Sequence, residues 1–106
     1  MIFHVALDQN GKPSWWLYGA NNELLAWAGR YYASLAFARK EASAFRAIAS
    51  TATYEIHPHP DDSWSWRVIQ PVDYYMAYSV PSFASSTAAR RAARKVRKGA
   101  ARASGL

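Results

Sequence analysis

The feature that most constrains the fold of this chain is an internal repeat. The first half aligns with the second half without a gap at an offset of 51 residues, so that Trp15 meets Trp66. Aromatic or aliphatic character is retained at strand-like positions, which a tandem duplication explains better than chance. The predicted units are residues 2–50 and 53–99. Further matched pairs are Phe3 with Tyr54, Val5 with Ile56, Ser34 with Ser85 and Ala38 with Ala89.

Within each unit the hydrophobic period changes from two to about 3.6, which predicts three strands followed by a helix. At 106 residues, with 51% hydrophobic and 15% aromatic residues, the chain has enough apolar surface for one domain, 1–106, with one core. The sequence therefore predicts an α+β fold with an antiparallel sheet and two helices, built from duplicated β-β-β-α units. The predicted strands are 2–8, 14–20, 23–29, 53–58, 63–70 and 73–79, and the predicted helices are 34–48 and 85–98.

Turn and cap residues support these boundaries. Asn10-Gly11 and Asn21-Asn22 tolerate the positive φ that tight turns require. Ser34 is a predicted N-cap of the first helix, and Ser85 or Ser86 of the second. Residues 99–106 are expected to form a frayed basic tail. The predicted buried stripes are Leu35, Ala38, Ala42, Phe45 and Ile48 on the first helix, and Ala89, Ala92, Ala93 and Val96 on the second.

The first unit resembles the YegP-like family of short duplicated domains. The matching segments are Phe3, Asp8, Gly11, Trp16-Leu17, residues 20–26 with the sequence Ala-Asn-Asn-Glu-Leu-Leu-Ala, Tyr32-Ala33-Ser34 and Ala38. This chain has Asn21-Asn22 where the family usually has Asn-Gly, Leu35 where a Lys is common, and Gln70-Pro71-Val72-Asp73 in place of the hairpin signature in the second unit. The resemblance implies β-β-β-α units sharing one antiparallel sheet, frequent homodimers and no assigned activity.

The sequence contains no pattern that predicts an enzyme. There is no cysteine, so disulfides and thiolate chemistry are excluded, and a cytoplasmic location is expected. Neither a secretory signal nor an apolar run of roughly 20 residues is found, so a soluble protein without a membrane span is expected. Gly11-Lys12-Pro13-Ser14 lacks the first glycine of a phosphate-binding loop, and the acids are scattered singly. We therefore expect no catalytic residues and no cofactor.

One polar segment has the spacing of a metal site. His57, His59 and Asp61 alternate along an extended stretch, so their side chains could converge on an ion such as Zn²⁺. The interleaved prolines are more typical of a strand end and turn, where surface histidines need no ligand. We expect no metal here.

Positive charge is concentrated at the C-terminal end. Residues 1–88 contain six Lys/Arg and seven Asp/Glu, a net charge of −1, whereas residues 89–106 contain seven Lys/Arg and no acid. Such a block is typical of an arm for nucleic acid, an acidic membrane surface or an acidic protein, although a solvated helix could carry it for solubility alone. The candidate anion-binding residues are Arg90, Arg91, Arg94, Lys95, Arg97, Lys98 and Arg102.

Aromatic residues are too many for a small core to bury completely, which predicts an aromatic surface. Such a surface favours a homodimer interface over a platform that stacks bases or a nucleotide-like ligand with help from Arg30 and Arg67. The candidate interface or stacking residues are Trp15, Trp16, Trp27, Trp64, Trp66, Tyr74 and Tyr75.

These observations lead to one functional prediction and one alternative. The predicted function is that of a small non-enzymatic binding or adaptor module, a homodimer, which engages an anionic partner, with nucleic acid favoured, through its basic C-terminal helix. The alternative is a protein-interaction or small anionic-ligand-binding protein that uses the sheet aromatics. Salt distinguishes the two, because binding to phosphates weakens steeply with added salt.

Overall fold

The segments with period two form six strands, which are β1 (Ile2–Leu7), β2 (Pro13–Tyr18), β3 (Leu24–Trp27), β4 (Thr53–Pro58), β5 (Trp64–Gln70) and β6 (Tyr74–Ser79). They join in one antiparallel sheet in the order β1-β2-β3-β6-β5-β4. The computed structural model describes residues 1–70 and 74–106. Each half therefore contributes three adjacent strands, and β3 pairs with β6 to join the halves.

The two halves of the sheet have the same register. Ile2 pairs with Tyr18 in the first half, and Thr53 pairs with Ile69, each 51 residues later, in the second. A register shift also falls at matched places, between residues 17 and 18 and between residues 68 and 69. The turn at Asn21 and Asn22 has the predicted positive φ, 57° and 58°. Its counterpart, and the predicted start of the last strand at residue 73, lie outside the described residues.

The two predicted helices are confirmed as α1 (Leu35–Ile48) and α2 (Ser86–Gly99). Each begins one residue after its capping serine: Ser34 Oγ accepts from the Phe37 N–H at 3.0 Å, and Ser85 Oγ accepts from the Ala88 N–H at 3.1 Å. These bonds satisfy backbone donors that the first turn leaves without a partner. Among the described residues, no helix is long and apolar enough to cross a membrane.

The core lies between one face of the sheet and both helices. Trp15 and Trp66 are fully buried in it, and the Trp15 ring stacks on Phe45 of α1 with the ring centroids 5.4 Å apart. Ala38, Ala42 and Phe45 are buried on α1 as predicted, and Ala89, Ala93 and Val96 on α2. Leu35 corrects the predicted stripe, because it lies in the first turn of α1 and is 44% exposed.

The expectation that residues 99–106 fray is wrong. After α2, Ala100–Arg102 form a short 3₁₀ turn, and Ala103 is buried. The Phe3 N–H then donates to the Ser104 carbonyl at 2.8 Å, and the Ser104 N–H donates to the Met1 carbonyl at 3.2 Å. β1 is an edge strand, and its pairing with β2 leaves the backbone groups on its outer side without partners. The C-terminal segment forms hydrogen bonds with these groups.

Candidate nucleic-acid interface

The basic residues of α2 lie on its solvent side because the helix buries the opposite side. Ala89, Ala93 and Val96 face the sheet. At 3.6 residues per turn, the six basic residues of α2 span a continuous arc of roughly 160° centred opposite this stripe. Arg102 follows on the 3₁₀ turn. All seven predicted basic residues are exposed: Arg90, Arg91, Arg94, Lys95, Arg97, Lys98 and Arg102.

Two of these seven charges are engaged within the protein. Lys95 Nζ lies 3.1 Å from Glu23 Oε2 in an exposed ion pair. The Arg97 guanidinium lies over the Tyr54 ring, 4.9 Å from its centroid, where a cation is attracted to the π face. Within residues 1–70 and 74–106, no carboxylate lies within ion-pair distance of the other five. Those five charges are available to an anionic partner.

Arg97 differs from the other basic residues of α2 because it packs on the ring of Tyr54. The Tyr54 hydroxyl donates to the Ala49 carbonyl at 2.8 Å, and burial raises the pKa of this phenol above its ordinary value although Arg97 opposes the shift. The phenol is therefore neutral at physiological pH and does not cancel the charge of Arg97. Arg97 combines a packing role with its charge.

The other helix provides an internal comparison. At matched positions α1 has Arg39, Lys40 and Arg46, but it also has Glu41. The α1 residues matched to the rest of the basic arc of α2 are uncharged. The higher charge of α2 therefore comes from four matched positions: Ser43, Ala44 and Ala47 of α1 are Arg94, Lys95 and Lys98 in α2, and Glu41 is replaced by the uncharged Ala92.

The sheet face without helices carries a row of paired residues that crosses all six strands. Because Trp15 points into the core, its neighbour Trp16 points to this open face. Arg67, at the matched position, donates from Nε to Glu55 Oε1 at 2.6 Å and lies 4.3 Å from the centroid of the Tyr75 ring. The row, in strand order, is His4, Trp16, Trp27, Tyr78, Arg67 and Glu55.

The predicted aromatic set divides between the two faces. Trp16, Trp27 and Tyr75 border the open face and are partly exposed. Trp15 and Trp66 are fully buried on the helix side, so their prediction as residues of an aromatic surface is wrong. A strand alternates its side chains, and burial decides which of two adjacent tryptophans faces inward.

The remaining members of the set are half-buried at the sheet margins. Trp64 exchanges backbone hydrogen bonds with Phe83. Tyr74 lies under the Arg30 guanidinium at 4.2 Å, and Arg30 also donates to the Tyr75 carbonyl at 2.7 Å. Arg30 is thus already bound within the protein. Tyr78 was missed as a site residue, although its alignment with Trp27 at the 51-residue offset is a signal that could have identified it.

The polar segment with metal-like spacing forms a closed turn. His59 Nε2 is 2.8 Å from Ser65 Oγ, and the Ser63 hydroxyl donates to Asp61 at 2.6 Å. The latter bond holds the pKa of the Asp61 carboxyl below its ordinary value. Among the described residues, no three potential ligands converge on one point. That the protein needs no metal stays a prediction, for which an unchanged melting temperature in a chelator is the check.

Comparisons with known proteins identify the fold. No protein-family model matches the chain, and no curated protein matches it. Two solution structures do: a UPF0339 protein from Shewanella oneidensis, with a TM-score of 0.81 at 12% identity, and the protein of unknown function yegP from E. coli, with a TM-score of 0.80 at 13% identity. Both alignments cover 98% of this chain, and 88% and 89% of the respective structures. At the level of fold, the resemblance to YegP-like proteins is confirmed.

Proposed function

We propose that this protein is a non-enzymatic module that binds nucleic acid, without sequence preference, through the exposed face of α2. The observation that supports this most directly is the arc of basic side chains, five of which have no carboxylate partner in the described part of the chain. With no acid on α2, nothing on the helix itself repels a phosphate backbone. Spread around one side of a helix, these groups suit phosphates, which fix position but carry no sequence information.

Such binding has a characteristic dependence on salt. Each phosphate neutralised by Lys or Arg releases counterions, so the affinity falls steeply as salt is added. With about five contacts on duplex DNA, raising the salt threefold should weaken binding about a hundredfold. Binding that depends on aromatic stacking weakens much less when salt is added.

A charge-matched pair of variants tests the proposal. The test variant replaces Arg90, Arg94 and Lys98 with Gln, which keeps helix propensity and leaves Arg97 on Tyr54. The control replaces Arg39, Lys40 and Arg46 of α1 with Gln, so both variants have a net charge of 6 − 3 = +3. Fluorescence polarisation with a labelled DNA duplex at low salt should show a loss of at least tenfold for the α2 variant and a smaller loss for the α1 variant. Equal losses, or no binding by the unmodified protein, would reject α2 as the interface.

We also propose that the open sheet face joins two copies of the chain in a homodimer. Trp16, Trp27 and Tyr78 form a partly exposed aromatic stripe at its centre, and aromatic residues are enriched at interfaces. The second candidate function uses the same stripe to bind a protein or to stack a nucleotide-like ligand. The contacts of Arg30 and Arg67 with tyrosines, and of Arg67 with Glu55, favour the dimer, because both guanidinium groups already bind within the protein.

We infer that the halves descend from one duplicated β-β-β-α unit, on the support of the matched register, register shifts and serine caps. We infer membership of the YegP-like family on the support of the shared fold. A cytoplasmic location is consistent with a partner such as nucleic acid.

A further inference from the structure

A cavity of about 290 Å³ lies between α2 and the sheet in the second half of the protein. Its walls are mainly apolar. They are formed by aromatic side chains and by residues on the inner side of α2. The apolar residues that line it include Leu25, Trp66, Phe83, Ala88, Ala92 and Val96. This volume is close to the lower end of the range for small-molecule sites in proteins.

The cavity exists because three side chains of α2 are smaller than the side chains at the matched positions of α1. The residues of α1 at matched positions are Phe37, Glu41 and Phe45, where α2 has alanine, alanine and valine. In the first half, Phe45 stacks on Trp15 at 5.4 Å and Phe37 stacks on Tyr32 at 5.6 Å. In the first half, two aromatic rings of α1 thus occupy the matched positions, Phe45 fully buried and Phe37 46% exposed, whereas the second half has only small side chains there.

Trp66, in the wall of the cavity, has a buried donor without an acceptor. Trp66 is fully buried, and its Nε1 has no hydrogen-bond partner. Trp15 Nε1 also lacks a partner. Burial raises the pKa of the Tyr32 phenol, and a smaller, opposing effect of Trp15 shows that the Tyr32 hydroxyl lies near the Trp15 indole. Phe83, at the position matched to Tyr32, has no hydroxyl. A buried N–H without an acceptor is unfavourable.

The mouth of the cavity is positively charged. Arg91 and Lys95 both line it, with Glu23 as the only acid among the described lining residues. Glu23 is paired with Lys95, which leaves Arg91 without a carboxylate partner in the part of the chain that the structure describes. An apolar interior with an unpaired guanidinium at its edge favours a molecule that combines an apolar body with a negative charge.

We propose that this cavity binds a small monocarboxylate with an apolar, ring-containing body. The body packs against Trp66, Phe83 and Val96, and the carboxylate lies at Arg91. This is a small-molecule function in addition to the proposed binding of nucleic acid. Arg91 belongs to both surfaces, but the residues replaced in the nucleic-acid test do not line the cavity. Failure of one proposal is therefore distinguishable from failure of the other.

The first experiment locates binding with 1-naphthylacetate as the probe. The probe is titrated into nitrogen-15 labelled protein while the indole N–H signals of all five tryptophans are followed by NMR. The Trp66 signal is assigned from the Trp66→Phe variant, and Trp15→Phe is its matched control. A saturable shift of the Trp66 signal supports the proposal. No saturable shift, or a shift largest at Trp27 on the open sheet face, overturns it.

The second experiment fills the cavity. Ala88→Phe restores the ring that the first half has at the matched position, and should reduce probe affinity at least tenfold. Thr87→Phe adds the same ring to the neighbouring exposed position, which is outside the lining, and should leave affinity unchanged. Thermal unfolding of both variants verifies that they fold. Equal affinity in folded Ala88→Phe and in the unmodified protein would place the probe elsewhere.

The third experiment tests the charge. Arg91→Gln should weaken 1-naphthylacetate roughly tenfold, as expected for loss of a charge-assisted contact, and should hardly affect the neutral 1-naphthylacetamide. Arg90→Gln is the control, since Arg90 is exposed on the same helix but does not line this cavity. If the acid and the amide bind equally and Arg91→Gln changes neither, the carboxylate specificity is wrong.

Discussion

Trp27 of β3 and Tyr78 of β6 face each other across the seam between the two halves of the sheet, and Tyr78 is the residue 51 positions after Trp27. The next pair, Ala26 with Ser79, follows the same antiparallel register. A residue that pairs with its own counterpart marks the centre of an approximate two-fold relation between the strands. The aromatic stripe of the open face is therefore centred on this seam, with Trp16 on one side and Arg67 on the other.

If the open face joins two copies, a charge at its centre should separate them. We expect Trp16→Lys to convert a dimer into a monomer, because the ammonium group would have to be buried without a partner. Leu35→Lys, at an exposed position of α1, should leave the dimer intact. Light scattering at tens of micromolar measures the mass. A monomeric mass for the unmodified protein would reject the homodimer itself.

The two serine caps should contribute equally to stability. Ser34→Ala and Ser85→Ala should each lower the free energy of unfolding by about 1 kcal/mol, since each leaves a first-turn N–H without its acceptor. Their effects should add in the double variant because the helices are capped independently. Urea denaturation is the measurement, with the exposed Ser50→Ala as control. A loss at only one cap would show that the two helix starts are not equivalent.

Gly29 should tolerate substitution much less than Gly11. Both have positive φ, 78° and 76°, so either alanine variant loses roughly 1 kcal/mol to backbone strain. A Cβ on Gly29 would also overlap the Tyr78 ring, whereas a Cβ on Gly11 would meet no atom within 4 Å. We expect Gly29→Ala to lose about 3 kcal/mol in denaturation. Similar losses for both variants would mean that Tyr78 moves aside at little cost.

Removal of residues 103–106 should destabilise the protein, because the segment pairs with β1. Loss of the two backbone hydrogen bonds between this segment and Met1 and Phe3 should lower the free energy of unfolding by about 2 kcal/mol. Hydrogen exchange gives the sharper readout: the Phe3 amide should lose protection, while the Asp8 amide, bonded to the Lys12 carbonyl, should retain it. An unprotected Phe3 amide in the full chain would show that the segment does not pair.

Much of the local structure could be predicted from short stretches of sequence. The alternation of apolar residues located six strands, Asn21-Asn22 located a turn, and Ser34 located a helix start, since each depends on neighbours within a few residues. The candidate site was predicted less evenly. The basic residues of α2 are exposed, as predicted, because the helix has no acids that could pair with them in the core. Trp15 and Trp16 could not be assigned to faces, because the sequence does not say which of them the helices cover.

The sequence by itself determined the order of the elements and the concentration of positive charge at the C-terminal end, because spacing and composition are properties of the chain alone. The tertiary structure decided that β3 lies beside β6, that Ser104 pairs with β1, and that smaller side chains on α2 leave a cavity over Trp66. Each of these depends on contacts between residues far apart along the chain. Such contacts form only when burial and backbone hydrogen bonding are satisfied together, so no local pattern specifies them.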